Sequence, residues 1–217
     1  MLGEIFSRSA EIIKTIPSNI FGAIYNAKIR KRLKNREFTI LSSNCIGGII
    51  YHRMGQRFCS PTINLWMIEQ DFQKFCLDLN YYKKCELSFF QCGKKYPVAK
   101  LGEDDREITI YFLHYKDQSD AEMKWNERIK RIKEENLFVV ATDNDGMTEE
   151  QLKKWGEMKC KDKVVFTANK YPQLPYAFYL EKYKDKGSVG KCINDVNKFT
   201  GLRYVESKFD FCDFLNK

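Results

Sequence analysis

Hydrophobic and polar positions follow two different spacings from residue 38 onwards. Short apolar or period-two runs predict β-strands, and apolar residues three or four apart predict amphipathic helices. The predicted strands are residues 37–43, 62–67, 86–90, 96–101, 106–115, 137–142 and 162–169. The predicted helices are residues 45–55, 69–82, 119–136 and 148–158, with two short ones near 188–199 and 208–215. Strands separated by helices indicate an α/β fold, with three α/β/α layers around a mixed, largely parallel sheet.

Three of these helices carry start or stop residues. Ser119 with Glu122 and Thr148 with Gln151 have the spacing of a capping box, in which two side chains satisfy free N–H groups at a helix start. Gly55 follows the last apolar position of the first helix, where glycine commonly ends helices.

The first 36 residues differ from the rest and are predicted to form a basic helical arm, followed by a single α/β domain over 37–217. Two short helices are expected within residues 4–34, broken at Pro17 and restarted at Ser18. Residues 1–37 hold eight lysines and arginines against three glutamates, and so carry most of the net charge of +8. The arm either packs on the domain with solvated charges or attaches to an anionic membrane surface or another polyanion.

Composition indicates a globular protein with a real core, since 43% of its residues are hydrophobic and 14% aromatic. No apolar run approaches the roughly 20 residues needed to span a bilayer. The eight cysteines include no C-x-x-C pair, and no secretory signal precedes them. We therefore expect reduced cysteines, no metal site and a cytoplasmic protein, or one bound peripherally at the inner face of the membrane.

Reactive side chains lie where three predicted strands end, which is the edge at which α/β sheets bind ligands. Cys45 follows the first strand, His114 and Tyr115 end the strand 106–115, and Asp143 to Asp145 follow the strand 137–142. Adjacent strand ends are expected to bring His114 towards Cys45.

Cys45 is the candidate nucleophile because it opens a predicted helix, where the helix dipole lowers the pKa of a thiol. Gly47 and Gly48 would leave backbone N–H groups open to an oxyanion, together with the Asn44 side chain. The alternative is an ordinary packed thiol beside glycines that allow close packing of helix and strand.

His114 is the candidate general base, oriented by Asp143 or Asp145. The alternatives are a structural histidine and aspartates that only form a turn. Arg128, on a helix face that could simply be solvated, could bind a phosphate-bearing donor. The full set of candidate substrate- or donor-binding residues is Ser43, Gly47, Gly48, His52, Tyr115, Trp125 and Arg128.

Several motifs together resemble one family. The stretches ILSSNCIGGIIYHRMG, SPTINLWM, DFQKFCLDLNYY, YPVAKL, FLHY, AEMKWNERIKRI and ENLFVV are similar to those of the bacterial DUF1919 family. The resemblance covers about residues 38–167 and implies an α/β/α fold with a mixed sheet. Family members are often labelled exopolysaccharide or capsular polysaccharide biosynthesis proteins, which implies a cell-envelope context. The S-N-C-I stretch at Cys45 weakly resembles the G-N-C-Q opening of some capsule enzymes proposed to be acetyltransferases.

Three functions remain open. The first is a cysteine-dependent acyltransferase that acts on a sugar or polysaccharide precursor, with no bound cofactor and an acyl-CoA as donor. The second is a glycosyltransferase or other sugar-nucleotide enzyme, using Arg128 or Arg131 and the glycine-rich helix start. The third is a non-catalytic carbohydrate-binding or assembly protein held at the membrane by the arm. Nucleic acid is not an expected partner, because aromatic residues do not alternate with the basic ones.

Overall fold

A four-stranded parallel sheet organises the protein. The computed structural model describes residues 20–217. The strand order in this sheet is β1-β5-β6-β7. The strands are β1 (Thr39–Ser42), β5 (Leu137–Thr142), β6 (Asp162–Thr167) and β7 (Ala177–Tyr179).

Three further strands form a separate antiparallel sheet in the order β2-β3-β4. They are β2 (Ser88–Phe90), β3 (Val98–Leu101) and β4 (Ile108–Tyr111). The α/β class and the parallel sheet flanked by helices are confirmed. The antiparallel strands are a second sheet instead of an edge of the first, so β4 does not lie beside β1.

Helices cover both faces of the parallel sheet. They are a helix α1 over residues 20–32, then α2 (Ile46–Met54), α3 (Glu69–Leu77), α4 (Leu79–Tyr82), α5 (Gln118–Ile129), α6 (Glu149–Lys154), α7 (Tyr204–Lys208) and α8 (Phe211–Leu215).

Alternation along each strand divides the core into two clusters. Phe138 and Val140 of β5 face a cluster that includes α2, α7 and α8. Leu137, Val139 and Ala141 face the opposite cluster, which includes α3 to α6 and the antiparallel sheet. Because successive side chains of a strand point to opposite faces, a strand buried on both sides is a nearly continuous apolar run, and β5 is apolar from Leu137 to Ala141.

The predicted cap residues are confirmed in two helices and are wrong in a third. Gly55 ends α2 with φ 65°, and Thr148 and Gln151 form the predicted capping box of α6. Helix α5 instead begins after Asp117, whose side chain accepts the N–H of Asp120. Ser119 therefore lies inside the first turn of α5, and the predicted capping box does not form.

Other predicted elements are also corrected. No strand forms over residues 62–67: residues 61–64 are a turn, and Trp66 forms an isolated bridge with Tyr111 of β4. Asp78 interrupts the helix predicted over 69–82. Near residues 188–199 the only helical segment is the 3₁₀ turn Cys192–Asn194. The sequence did not predict β7 or α7, whose short segments carry too few periodic positions to stand out.

Helix α1 packs one side on the domain and leaves the other exposed. Ile29 and Leu33 are buried in the cluster that contains α2. Arg30 donates to the backbone oxygens of His52 and Arg53, and Arg32 pairs with Asp210 and Asp213 at α8. Ile20, Phe21 and Ile24 are exposed. The helix predicted before Pro17 lies outside the described residues.

A search of residues 20–217 finds no helix with both the length and the apolar character that crossing a bilayer requires.

Candidate functional site

The chain leaves two neighbouring parallel strands towards opposite faces of the sheet. After β1 it enters α2, whose Ile46 and Ile50 pack in one cluster, and after β5 it enters α6, whose Leu152 packs in the other. Such a point, where adjacent strands lead to opposite faces, opens a crevice that commonly binds ligands in α/β proteins. Cys45 lies at the β1 side of this point.

A cavity of about 430 Å³ opens beside Cys45. It is lined by Cys45, Gly48, Ile49, His52, Arg53, Phe58, Asn64, His114 and Arg203. Within residues 20–217, the side chains of Cys45, His52, Asn64 and His114 form no hydrogen bonds. Four groups that can exchange hydrogen bonds with a ligand therefore face one cavity, and convergent polar groups in a cavity are typical of a candidate binding site.

Cys45 immediately precedes α2, but burial outweighs the charge that acts on its thiol. Burial raises the pKa of the Cys45 thiol, and the nearby charge of Arg203 opposes that effect. The expectation of a lowered pKa is therefore wrong in direction. The first N–H groups of α2 are also occupied, because Ile46 donates to Asn44 Oδ1 and Gly47 to Ser42 Oγ.

The two glycines of α2 have different roles. A Cβ on Gly47 would lie 2.6 Å from Ser42 Oγ, so Gly47 allows the helix to pack against β1. A Cβ on Gly48 would lie 3.2 Å from Asn64 Oδ1, and Gly48 lines the cavity. Of the two glycines, only Gly48 lies at the cavity, as predicted for both. The Asn44 side chain accepts the N–H of Ile46 at the start of α2 and does not face the predicted oxyanion position.

His114 reaches the cavity by a route that the sequence did not indicate. It lies in the turn after β4, and its backbone N–H donates to the Asn64 oxygen at 3.3 Å. This bond places the turn against residues 61–64, which lie over α2. His52, near the end of α2, lines the same cavity and is exposed, as is His114.

The two predicted orienting aspartates have structural partners. Asp143 accepts the backbone N–H groups of Ala168 at 2.6 Å and Val189 at 2.7 Å. Asp145 accepts the N–H of Glu69 at 3.0 Å and so caps α3. The prediction of a triad with His114 is wrong for this state, since neither carboxylate bonds the imidazole in the described chain.

The remaining predicted binding residues are mostly buried. Ser43 donates to Glu69, and the Tyr115 hydroxyl donates to the Ile63 oxygen at 2.6 Å. Trp125 is 2% exposed and packs against Phe75, so it is a core residue and not a ligand contact.

Arg128 is buried instead of lying on a solvated helix face. It donates to the Tyr115 hydroxyl at 2.6 Å, and its guanidinium lies 5.5 Å from the centre of the Phe58 ring. Because Phe58 lines the cavity, Arg128 lies directly behind the cavity wall.

Two cavity arginines were missed by sequence reasoning. Arg53 Nε donates to Glu206 Oε1 at 2.7 Å, and Arg53 Nη2 donates to the Gly201 oxygen at 2.7 Å. Arg203 Nε donates to the Ile193 oxygen at 2.8 Å. Arg203 lies more than 150 positions after Cys45 in the chain, and no local pattern marks it.

Glu69 was also missed, although its carboxylate bonds residues at the carboxyl ends of both β1 and β5. It is 2% exposed, and its Oε1 accepts the hydroxyls of Ser43, at 2.6 Å, and Thr142. Its Oε2 has no hydrogen-bond partner in the described chain. Burial raises the pKa of Glu69 to about 7, and the two hydroxyl bonds oppose that effect. The crevice itself is thus filled by a carboxyl group, and the open cavity lies beside it.

The cysteines and acidic groups form no further centre in the described part of the chain. All eight cysteines are free. In residues 20–217 no group of three histidine, cysteine, aspartate or glutamate side chains is arranged to hold a metal ion.

Comparison with known proteins identifies the family. The chain belongs to the DUF1919 family, described as a domain of unknown function, whose family model matches residues 16–216. It is similar to an uncharacterized protein from Haemophilus influenzae, with 34% identity over 191 residues, covering 88% of this chain and 90% of the relative.

Proposed function

We propose that this protein is a transferase that modifies sugar precursors of a cell-surface polysaccharide, and that it transfers an acyl group through Cys45. One observation carries the proposal: a thiol and two imidazoles without hydrogen-bond partners in the described chain line one cavity. The polysaccharide part rests on the labels of the family that the motifs resemble.

The chemistry would proceed in two balanced steps with an acyl-CoA donor. His114 takes the proton of Cys45, and the sulfur attacks the thioester carbonyl. The carbon–sulfur bond to CoA then breaks, and His114 gives its proton to the departing CoA thiolate. A sugar hydroxyl then attacks the acyl-cysteine, gives its proton to His114, and the Cys45 thiolate leaves and is reprotonated.

Asn64 replaces the predicted oxyanion groups, and Arg203 acts on the thiol. The N–H of Gly47 is already bound to Ser42, so the Asn64 amide is the better donor to the developing charge, as it lines the cavity without a partner in the described chain. Arg203 would favour the thiolate, because its charge lowers the pKa of Cys45 against the effect of burial.

The test is the intact mass of the protein after incubation with acetyl-CoA. Wild type and Cys92→Ser are expected to gain one acetyl group, and Cys45→Ser none; Cys92 is a matched control because it is an exposed thiol outside the cavity. His114→Ala should slow acetylation by about 10²-fold or more. Equal acetylation of Cys45→Ser and wild type would reject the route through this thiol.

A sugar-nucleotide enzyme is the second candidate, and the two arginines at the cavity favour it. Binding of a UDP-sugar that persists after alkylation of Cys45, with no acetyl-enzyme, would support this candidate and exclude the first.

We also propose that α1 attaches the protein to an anionic membrane surface. Its exposed side carries Ile20 and Ile24, followed at helical spacing by Lys28 and Lys31, which are exposed as well. An apolar stripe continued by lysines is typical of helices that lie on such surfaces.

A further inference from the structure

The cavity beside Cys45 is lined by positive and neutral groups. Its described lining includes Arg53, Arg203 and two histidines but no aspartate or glutamate. Sites for neutral sugars usually need acceptors for the sugar hydroxyls, whereas a lining of donors suits an anionic group.

Arg203 is the arginine with donors to spare. Its Nε is bound to the Ile193 oxygen at 2.8 Å, and its Nη1 makes only a long contact of 3.4 Å to Glu206 Oε2. Its Nη2 forms no hydrogen bond with any residue of 20–217, and its side chain is 22% exposed. Two N–H groups of a half-buried guanidinium are therefore left for a ligand.

Arg53 differs, because its donors are largely used. It binds both oxygens of Glu206, at 2.7 and 3.2 Å, and the Gly201 oxygen at 2.7 Å. Glu206 also accepts the backbone N–H of Arg203 at 2.8 Å. Glu206 thus fixes both arginines but neutralises only one charge, so the pair keeps a net positive charge.

A third arginine adds to this field. Arg128 is 8% exposed and pairs with no carboxylate within residues 20–217. Within residues 20–217, its hydrogen bonds go to the Ile63 backbone oxygen and the Tyr115 hydroxyl. A buried guanidinium that forms no ion pair is costly, and an anion that comes close offsets part of that cost.

We propose that Arg203 binds an oxyanion of the substrate, a phosphate or carboxylate group on the sugar, and so restricts the cavity to acidic sugars or sugar phosphates. The inference deepens the proposed function and rests on it for the sugar. The oxyanion site itself rests only on the arginines and on the lining of the cavity.

Cys45 provides a probe of this site, because it lines the same cavity. Iodoacetate and iodoacetamide are similar in size and attack the same thiolate, but only iodoacetate is an anion. The ratio of their rates at one cysteine therefore cancels the pKa of the thiol and reports the local preference for an anion. Cys92, which is exposed and outside the cavity, is the reference in the same molecule.

We expect the ratio of the iodoacetate rate to the iodoacetamide rate to be about fourfold or more higher at Cys45 than at Cys92. This factor is the Coulomb attraction between two opposite unit charges about 5 Å apart in water. Arg203→Gln should reduce it to the value at Cys92, and Arg203→Lys should retain most of it. Lys208→Gln, at the exposed last residue of α7, the helix that Arg203 precedes, should leave it unchanged. Equal ratios at Cys45 and Cys92 in wild type, or a ratio that survives Arg203→Gln, would overturn the inference.

Protection of Cys45 from iodoacetamide then identifies the source of the oxyanion. Glucose 1-phosphate or glucuronate should protect wild type, and glucose at the same concentration should not; the better protector distinguishes phosphate from carboxylate. Protection by glucose equal to that by both anions would reject the restriction to acidic sugars. If Arg203→Gln does not fold, the ratio of the two alkylation rates at Cys45 is measured in wild type at increasing NaCl concentration. The ratio must fall with salt if the preference is ionic, and a constant ratio would overturn the inference.

The two proposals fail separately in these experiments. A raised alkylation ratio without an acetyl-enzyme keeps the oxyanion site and rejects acyl transfer through Cys45. An acetyl-enzyme with equal ratios keeps the transfer and rejects the oxyanion site.

Discussion

Replacing Glu69 by glutamine should make the free energy of unfolding less dependent on pH. Glu69 is buried between β1 and β5, and burial raises its pKa to about 7 from an ordinary value of 4.5. Glutamine has the same shape and keeps an oxygen to accept the hydroxyls of Ser43 and Thr142. Its amide nitrogen would take the place of Oε2, which has no partner in the described chain.

Whether stability rises or falls with pH depends on which state, folded or unfolded, holds the Glu69 proton. Between pH 4.5 and about 7 the folded state holds the Glu69 proton while the unfolded state has released it. Unfolding then releases a proton, so wild-type stability falls as pH rises through this interval and levels off above it. A difference of about 2.5 pKa units corresponds to about 3 kcal/mol.

The assay is urea unfolding of wild type and Glu69→Gln at pH 5, 6, 7 and 8. The free energy of unfolding of Glu69→Gln, relative to wild type, should rise by about 2–3 kcal/mol from pH 5 to pH 8. Glu150→Gln, at an exposed position on α6, reports what loss of a surface carboxylate does by itself. A difference between Glu69→Gln and wild type that stays constant over this range would refute the assignment of a buried, proton-holding carboxyl.

Two further variants test other parts of the structure. Gly47→Ala should destabilise the protein by about 1–3 kcal/mol in urea unfolding, because its Cβ would lie 2.6 Å from Ser42 Oγ, whereas Gly48→Ala should cost less than about 1 kcal/mol. The opposite order would contradict the roles given to the two glycines. Wild type should sediment with anionic lipid vesicles and not with neutral ones, and the double change Ile20→Ser with Ile24→Ser should abolish sedimentation. Phe199→Ser, which removes another exposed apolar side chain, should have no effect on it.

The strands and helices of the parallel sheet were largely predictable. Residues 137–141 form an unbroken apolar run, and Thr148 with Gln151 marks the start of α6; both are local features that the fold retains. Short segments were not predictable. The segment 62–67 contains strand-forming residues, yet it forms a turn and a single bridge to β4, and it packs over α2.

The candidate site was predictable only in part. Cys45 and His114 were chosen from their positions after strands, and both line the cavity. The reason given for their proximity was wrong, because β4 lies in a different sheet from β1. Their partners could not be assigned either, since Asp143 and Asp145 bind backbone N–H groups of distant segments.

The sequence by itself determined the α/β class, the strand that precedes Cys45, the helix that follows it and the glycine that ends that helix. These depend on spacing and on residues a few positions apart, where local geometry acts directly. Only the tertiary structure decided that Glu69 fills the crevice, that Gly47 serves packing, and that Arg203 lies beside Cys45. Such contacts join residues far apart in the chain, and the burial and charge that shift a pKa exist only after those residues have been brought together.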